Sequence, residues 1–373
     1  MKPTTIDWDE DLPPATPEEE YQSLVRTLRR TDGFRLLFVE CVPSEGERLI
    51  AKVRADFPQK KIEVLPLDES AYNFYNIIEN LPKRDEINIL FVTGLEYSLY
   101  EYEREKRELG WNSEEIYSYS WRGVPPILIN INQQRERFRD NFNICFVFVL
   151  PKFAVNYLIQ RAPDFFDWRS SLFKFSMDKD LLQLESTLAC WERGKREEYI
   201  ALTPQERKDE LMRIKILIDE DGQTPEQKAE LFYEQALLYS SADQYAKAIA
   251  SYDKALEFKP DKHEAWNNLG ITLGNLGRLE EAIASYDKAL EIKPDYHEAW
   301  NNRGIALGNL STLEVLNNWP LRQVNIERFK DAIASYDKAL AFKPDKDKAW
   351  YNIKHIRFII SLAFMRYIVK WME

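Results

Sequence analysis

HEAWNNLGITLGNLGRLEEAIASYDKALEIKP, residues His263 to Pro294, decides the fold of the second half of the chain. It returns almost letter for letter from His297 as HEAWNNRGIALGNL and is completed by DAIASYDKALAFKP, ending at Pro344. Trp266 recurs at Trp300 and Pro260 at Pro294, a step of about 34 residues. A fixed period of that length, with Trp, Gly, Tyr, Ala and Pro at set places, predicts a helix–turn–helix solenoid, in which each unit buries its apolar face only against its neighbours.

Units counted from the residue three before the Trp begin at Ala229, His263, His297 and Asp347. The second carries Trp266, Leu269, Gly270, Ala282, Tyr286, Ala289 and Pro294. Gly270, Ala282 and Ala289 are small, so two antiparallel helices can cross closely; Trp266 and Tyr286 fill the layer between units, and Pro294 ends the second helix. The first unit keeps Ala236, Ala248, Tyr252, Ala255 and Pro260, with Phe232 at the Trp place. This pattern resembles the tetratricopeptide repeat. The third unit carries an insertion of about 16 residues within 311–328, including Trp319-Pro320, read as a surface loop or, as the alternative, a partner-specific finger. The fourth keeps Ala349, Trp350 and Asn352, then runs into an apolar, basic stretch to the C-terminus. That stretch is read as a capping helix, against a dimer face or membrane-surface helix.

The resemblance implies a concave groove lined by the first helix of each unit and a protein or peptide as its occupant. Asn268, Asn302 and Asn352 fall at one repeat position, with Asn267 and Asn301 beside them and Asn275 and Asn309 further along the helix. In some members of the family that position forms an asparagine ladder, whose amides donate to and accept from an extended peptide backbone. The plain alternative is a merely hydrated groove. Glu234 holds the place in the first unit, so the ladder would start at the second.

The formal net charge is −11, and from Thr224 onward acidic and basic residues nearly balance, so the negative surplus lies in the first half. Neither half has the Lys/Arg excess that phosphate neutralisation needs, which argues against nucleic acid. Cys41, Cys145 and Cys190 are widely spaced; the first two sit in apolar runs and read as buried, reduced thiols. The N-terminus has no apolar core of a signal peptide, and no run is long and apolar enough to span a membrane. The expected location is cytoplasmic.

The first half alternates short apolar runs with helical patterns. FRLLFVEC (34–41), KIEVLPL (61–67), INILFVT (87–93), ICFVFVL (144–150) and a short run at 172–175 predict strands, and their continuous apolar character predicts a parallel sheet covered on both faces. Thr16-Pro17-Glu18-Glu19 starts a helix and Asp32-Gly33 stops it. The aromatic, charged stretch 96–123 reads as a surface insertion packing its own rings rather than a base-stacking platform. All three histidines, His263, His297 and His355, lie in the repeats, which removes Ser/His and Cys/His catalysis and His-ligated metals from the first half.

A phosphate-binding loop after the first strand would need G-x-x-x-x-G-K-[ST]. With Gly46 as its second glycine, Cys41 stands at the first, Glu47 at the Lys and Arg48 at the Ser/Thr place. A carboxylate there repels phosphate. The strand order and the stretch Ala162-Pro163-Asp164-Phe165-Phe166-Asp167-Trp168-Arg169-Ser170 resemble the late part of STAND-type ATPase domains, found upstream of repeat arrays in bacterial signalling proteins. That resemblance implies nucleotide binding and switching, with hydrolysis lost here. Arg161 and Arg169 read as surface arginines beside an aromatic cluster, or as remnants of phosphate-sensing arginines.

The expected fold is therefore an α/β domain with a P-loop-like parallel sheet, followed by an all-α solenoid. The expected divisions are a lead-in and helix (1–33), a degenerate P-loop-like domain (34–175), a helical linker (176–222) and the repeats (223–373). The expected function is a non-enzymatic interaction scaffold with no catalytic, metal or cofactor site. The alternative is a nucleotide-controlled, STAND-like switch gating the repeats.

Overall fold

A computed structural model describes residues 16–108, 124–177, 179–191, 199–317, 326–344, 348–358 and 361. The chain divides into two compact units, Met1–Leu182 with Lys215–Gly222, and Gln183–Ile214 with Gln223–Glu373.

The first unit is a five-stranded, all-parallel sheet. Its strands are β1 (Arg35–Glu40), β2 (Ile62–Pro66), β3 (Ile89–Thr93), β4 (Cys145–Leu150) and β5 (Ser171–Lys174), in the spatial order β2-β3-β4-β1-β5. Central β4 runs in register with β1, Arg35 opposite Cys145, and with β3, Ile89 opposite Cys145. Side chains alternate between faces, so one apolar run feeds two cores. Leu36, Phe38, Phe146, Phe148 and Leu150 point to one, with helices α3 (Phe74–Glu79), α5 (Pro126–Asn141), α6 (Lys152–Arg161) and α7 (Pro163–Asp167). Leu37, Val39, Cys145, Val147 and Val149 point to the other, with α1 (Pro17–Arg29) and α2 (Pro43–Asp56). The first core is aromatic: Phe38 stacks on Phe148 at 5.2 Å and meets Phe166 at 4.9 Å.

The helix expected after the lead-in, α1, packs on the sheet, with Tyr21, Leu24, Val25 and Leu28 buried within the second core. Its start is as predicted, Thr16 and Glu19 closing a reciprocal capping box. The stretch 176–222, expected as a helical linker, carries α8 (Lys179–Trp191) and α9 (Pro204–Asp219), and the divisions between the units fall after Leu182, Ile214 and Gly222.

The second unit is an array of antiparallel helix pairs: α10 (Pro225–Ser241) with α11 (Tyr245–Phe258), α12 (His263–Asn275) with α13 (Leu279–Ile292), and α14 (His297–Asn317) with α15 (Ile326–Phe342). Residues 348–358 form a further helix, α16. Thr224 opens the array with a second capping box, to Gln227. The closeness of each pair comes from its small residues. A Cβ on Gly270 would lie 2.6 Å from Cε1 of Tyr286, and one on Gly304 2.7 Å from Cε1 of Tyr336. Trp266 and Trp300 are half-buried and pack against a cluster of Ala289, Leu290 and Ala299 drawn from neighbouring units, and their indole N–H groups donate to the carbonyls of Pro260 and Pro294 at 2.9 and 2.8 Å.

The insertion in the third repeat does not begin as a loop. α14 continues as helix through 311–317, Ser311 is buried, and its hydroxyl donates to the Leu307 carbonyl at 2.9 Å. Residues 318–325, including Trp319-Pro320, lie outside the described residues, as do 109–123, most of the expected capping helix beyond 358, and the Cys190 side chain.

Candidate functional site

The first helices of the second and third repeats, α12 and α14, touch one another, and their asparagines meet along that seam.

Their geometry is a relay of side-chain hydrogen bonds. Asn301 Nδ2 donates to Asn302 Oδ1 at 3.4 Å, and Asn302 Nδ2 to Asn267 Oδ1 at 3.1 Å. Asn267 Nδ2 donates to Asn268 Oδ1 at 3.3 Å, and Asn268 Nδ2 to the Tyr233 hydroxyl at 2.8 Å. Asn267 and Asn301 are buried and Asn268 and Asn302 half-buried. Such a chain polarises its members and fixes each amide's orientation. Asn275 and Asn309 are exposed. Asn352 is hydrogen-bonded to Tyr336 instead of joining the relay. At its far end Asn301, only 6% exposed, keeps an Oδ1 that meets no donor among the described residues.

Sequence reasoning placed the asparagines at equivalent positions but missed Tyr233 and Tyr199. The links across repeats share one interval of 35 residues: Asn302 to Asn267, Asn268 to Tyr233, and Tyr199 to Glu234. Glu234, at the asparagine place of the first repeat, is 3% exposed and accepts from the Tyr199 hydroxyl. Burial pushes its carboxyl up to about 7, opposed by the Tyr199 bond and Lys262. The available signal was the 35-residue interval itself, since Tyr199 stands to Glu234 as Tyr233 stands to Asn268.

Between the first helices of the third and fourth repeats lies a hollow of about 410 Å³ lined by Ile305, Lys348, Tyr351 and Asn352. Ile305 is 38% and Tyr351 69% exposed. Arg303, which stands at the place of Leu269, is held by Asp287 at 2.6 Å and the Ser335 hydroxyl at 2.7 Å.

At the carboxyl ends of the sheet strands, where open α/β sheets take ligands, the β1–α2 connection is only Cys41-Val42. Gly46 lies inside α2, and a Cβ there would sit 2.6 Å from Val149 Cγ1, so its smallness serves helix–sheet packing. Pro43 opens the helix without an N–H, and a connection of two residues leaves no loop to wrap phosphates. Glu96, 4% exposed in the first turn of α4 (Leu95–Glu108), is pushed up to about 7 by burial, opposed by backbone N–H bonds from Glu96 itself and Gly94. Glu220, beside Asp221 and Glu40, is also raised to about 7, chiefly by burial. Lys152 pairs with Asp221 at 2.6 Å. Arg161, expected at the surface, is buried at 6% exposure, whereas Arg169 is exposed and lies 4.3 Å over the Phe166 ring. Burial pushes the Cys145 thiol up to about 12. Among the described residues no group of His, Cys, Asp and Glu could hold a metal ion, and no helix is long and apolar enough to cross a membrane.

Comparison with known families finds the tetratricopeptide repeat model over residues 263–296 and a TPR repeat model over 236–277. The helix pairs of this stretch are tetratricopeptide repeats. Among solved structures, one described as "First TPR of Spaghetti (RPAP3) bound to HSP90 peptide SRMEEVD" is similar at 20% identity over 37% of this chain and 97% of that one, with a TM-score of 0.32. The Sgt2 TPR domain from Aspergillus fumigatus is similar at 19% identity over 38% of this chain and 85% of that one, TM-score 0.32. MamA from Desulfovibrio magneticus RS-1, residues 41 to the end, is similar at 17% identity over 53% and 96%, TM-score 0.37. No curated protein matches the chain.

Proposed function

We propose that the chain is a non-enzymatic interaction scaffold whose tetratricopeptide repeats take an extended peptide from a protein partner along the inner face of their first helices. The observation that carries this reading is the seam between those helices. The amide relay holds their spacing from repeat to repeat and leaves half-exposed or exposed apolar positions, Ile271 and Ile305, at equivalent places beside it. A row of such positions on a rigid inner face suits side chains of an extended segment. The asparagines then serve as the frame of the groove more than as its hands, since their amides are already engaged with one another.

The test is a phage-displayed library of random nonapeptides panned on the intact chain. Recovered peptides are synthesised with fluorescein and titrated by anisotropy. Binding should fall at least tenfold on Ile271→Asp, in α12, and stay unchanged on Ala284→Asp, an exposed residue of α13. Peptides that lose binding only on Ala284→Asp, or on neither, would overturn the groove reading.

A further inference from the structure

β2 is an edge of the sheet, with β3 as its one neighbour among the described residues. Its ladder uses every second residue. The Lys61 carbonyl accepts from the Ile89 N–H at 3.2 Å, and the Leu67 N–H donates to the Thr93 carbonyl at 2.7 Å. The register between them puts Glu63 and Leu65 in the same role. The backbone N–H and C=O of Ile62 and Val64 therefore point away from the sheet, with the C=O of Pro66, and no described residue pairs with them. Such a row is a template for a further strand.

α3 stands beside this edge. Its Phe74, Tyr75 and Ile78 are buried in the core, while Asn76 and Asn80 are exposed and Ile77 is half-buried. Between these three and the end of β2 lies a hollow of about 420 Å³, with Leu65 and Pro66 on the strand side. Asn80 Nδ2 donates to the Asn76 carbonyl at 2.7 Å, which leaves its Oδ1 and the whole Asn76 side-chain amide without a partner among the described residues. Asp68 is the one charged residue of the lining. The two faces of β2 differ: Ile62 and Val64 belong to the core with α1 and α2, and Leu65 to the core with α3.

We propose that the slot between β2 and α3 is a second docking site, in which an extended segment of a protein partner joins the sheet as a sixth strand. The segment alternates aliphatic residues, laid beside Ile62 and Val64, with uncharged hydroxyl or amide residues, which face α3 and meet Asn76 and Asn80. An acidic residue in the second set meets Asp68 and no cation in the lining. A helical segment has already spent its N–H and C=O groups on itself.

The probe is a fluorescein-labelled peptide, Gly-Lys-Thr-Val-Gln-Val-Thr-Lys-Gly, titrated by anisotropy against the intact chain. Saturable binding is expected. It should weaken at least tenfold on Asn76→Trp, which fills the hollow from an exposed position, and on Val64→Pro, which removes an outward N–H. N-methylation of the peptide, one bond at a time, should cost tenfold at alternate bonds and nothing at those between, because only every second N–H of an added strand faces the edge. Replacing the peptide's Gln by Glu should also cost tenfold. Ile271→Asp, in the repeats, should leave this binding unchanged, which keeps the site distinct from the groove proposed above. Each variant is first shown to keep its circular dichroism and melting temperature, and Asn76→Trp carries the test should Val64→Pro not fold. No saturable binding, an N-methylation pattern without alternation, or indifference to Asn76→Trp would each overturn the proposal. So would sedimentation of the chain as a dimer that Val64→Pro dissociates, since a second copy would then hold the edge.

Discussion

Asn302 gives its side-chain N–H to the carbonyl oxygen of Asn267, 35 residues earlier, across 3.1 Å. Neither amide is then free to read a ligand, and the pair sets the distance between two helices. Asn267→Ala removes an acceptor and a donor from a residue 4% exposed, so unfolding in urea should show a loss of about 1–3 kcal/mol. Asn309→Ala, at an exposed position of α14, should stay within about 0.5 kcal/mol of the wild type. Equal effects of the two would count against the relay.

Glycines at two places of one helix should respond with opposite signs. Gly270→Ala drives a methyl to 2.6 Å from the Tyr286 ring and should destabilise by about 1–3 kcal/mol. Gly274→Ala meets nothing within 4 Å and lies in helix α12, so it should stabilise by about 0.5–1 kcal/mol. Chemical denaturation of both variants beside the wild type checks the pair.

Glu234 should make stability depend on pH near neutrality. Its carboxyl rises from an ordinary 4.5 to about 7 on folding, so the folded chain holds the proton more tightly than the unfolded one. Its favourable contribution is complete below about pH 4.5 and is lost as pH climbs to about 7. The stability of Glu234→Gln relative to the wild type should therefore improve between pH 4.5 and 7.5, by up to about 3 kcal/mol. Glu96 and Glu220 share the sign and range, which is why the difference between the two proteins, not the wild-type curve alone, is the measurement. A flat difference would refute the buried carboxylate.

Leu24→Ala in α1 should cost about 2–5 kcal/mol, because Leu24 is fully buried against the sheet. A helix lying loose on the surface would lose almost nothing. Thermal melts of the intact chain distinguish the two.

The strands were legible because a parallel sheet buried on both faces leaves uninterrupted apolar runs such as Cys145–Leu150. The repeat was legible because Trp266, Gly270 and Tyr286 recur at a fixed interval, and interval survives where identity drifts. The place of α1 was not, since a stripe of Tyr21, Leu24 and Leu28 looks the same on a peripheral helix and on a core one. Gly46 misled for a related reason: a glycine kept small by Val149 and a glycine kept flexible for a phosphate spell the same letter. The asparagines were found at their positions but not with their partners. An amide can bond a ligand or a neighbour, and only the spacing of the packed helices decides. The helical start of the third-repeat insertion was hidden because Ser311 and Thr312 carry no helix preference, their hydroxyls instead turning back to the carbonyls of Leu307 and Gly308.

The Trp–Pro tie is loosest at Trp350, at 3.4 Å with the Trp 51% exposed, against 2.9 and 2.8 Å at Trp266 and Trp300. Each tie fastens a repeat to the residue that terminates the one before it, so opening one frees only what lies beyond. Amide protons of α16 should then exchange with solvent before those of α14, and those of α14 before those of α12, as in a zip drawn from its far end.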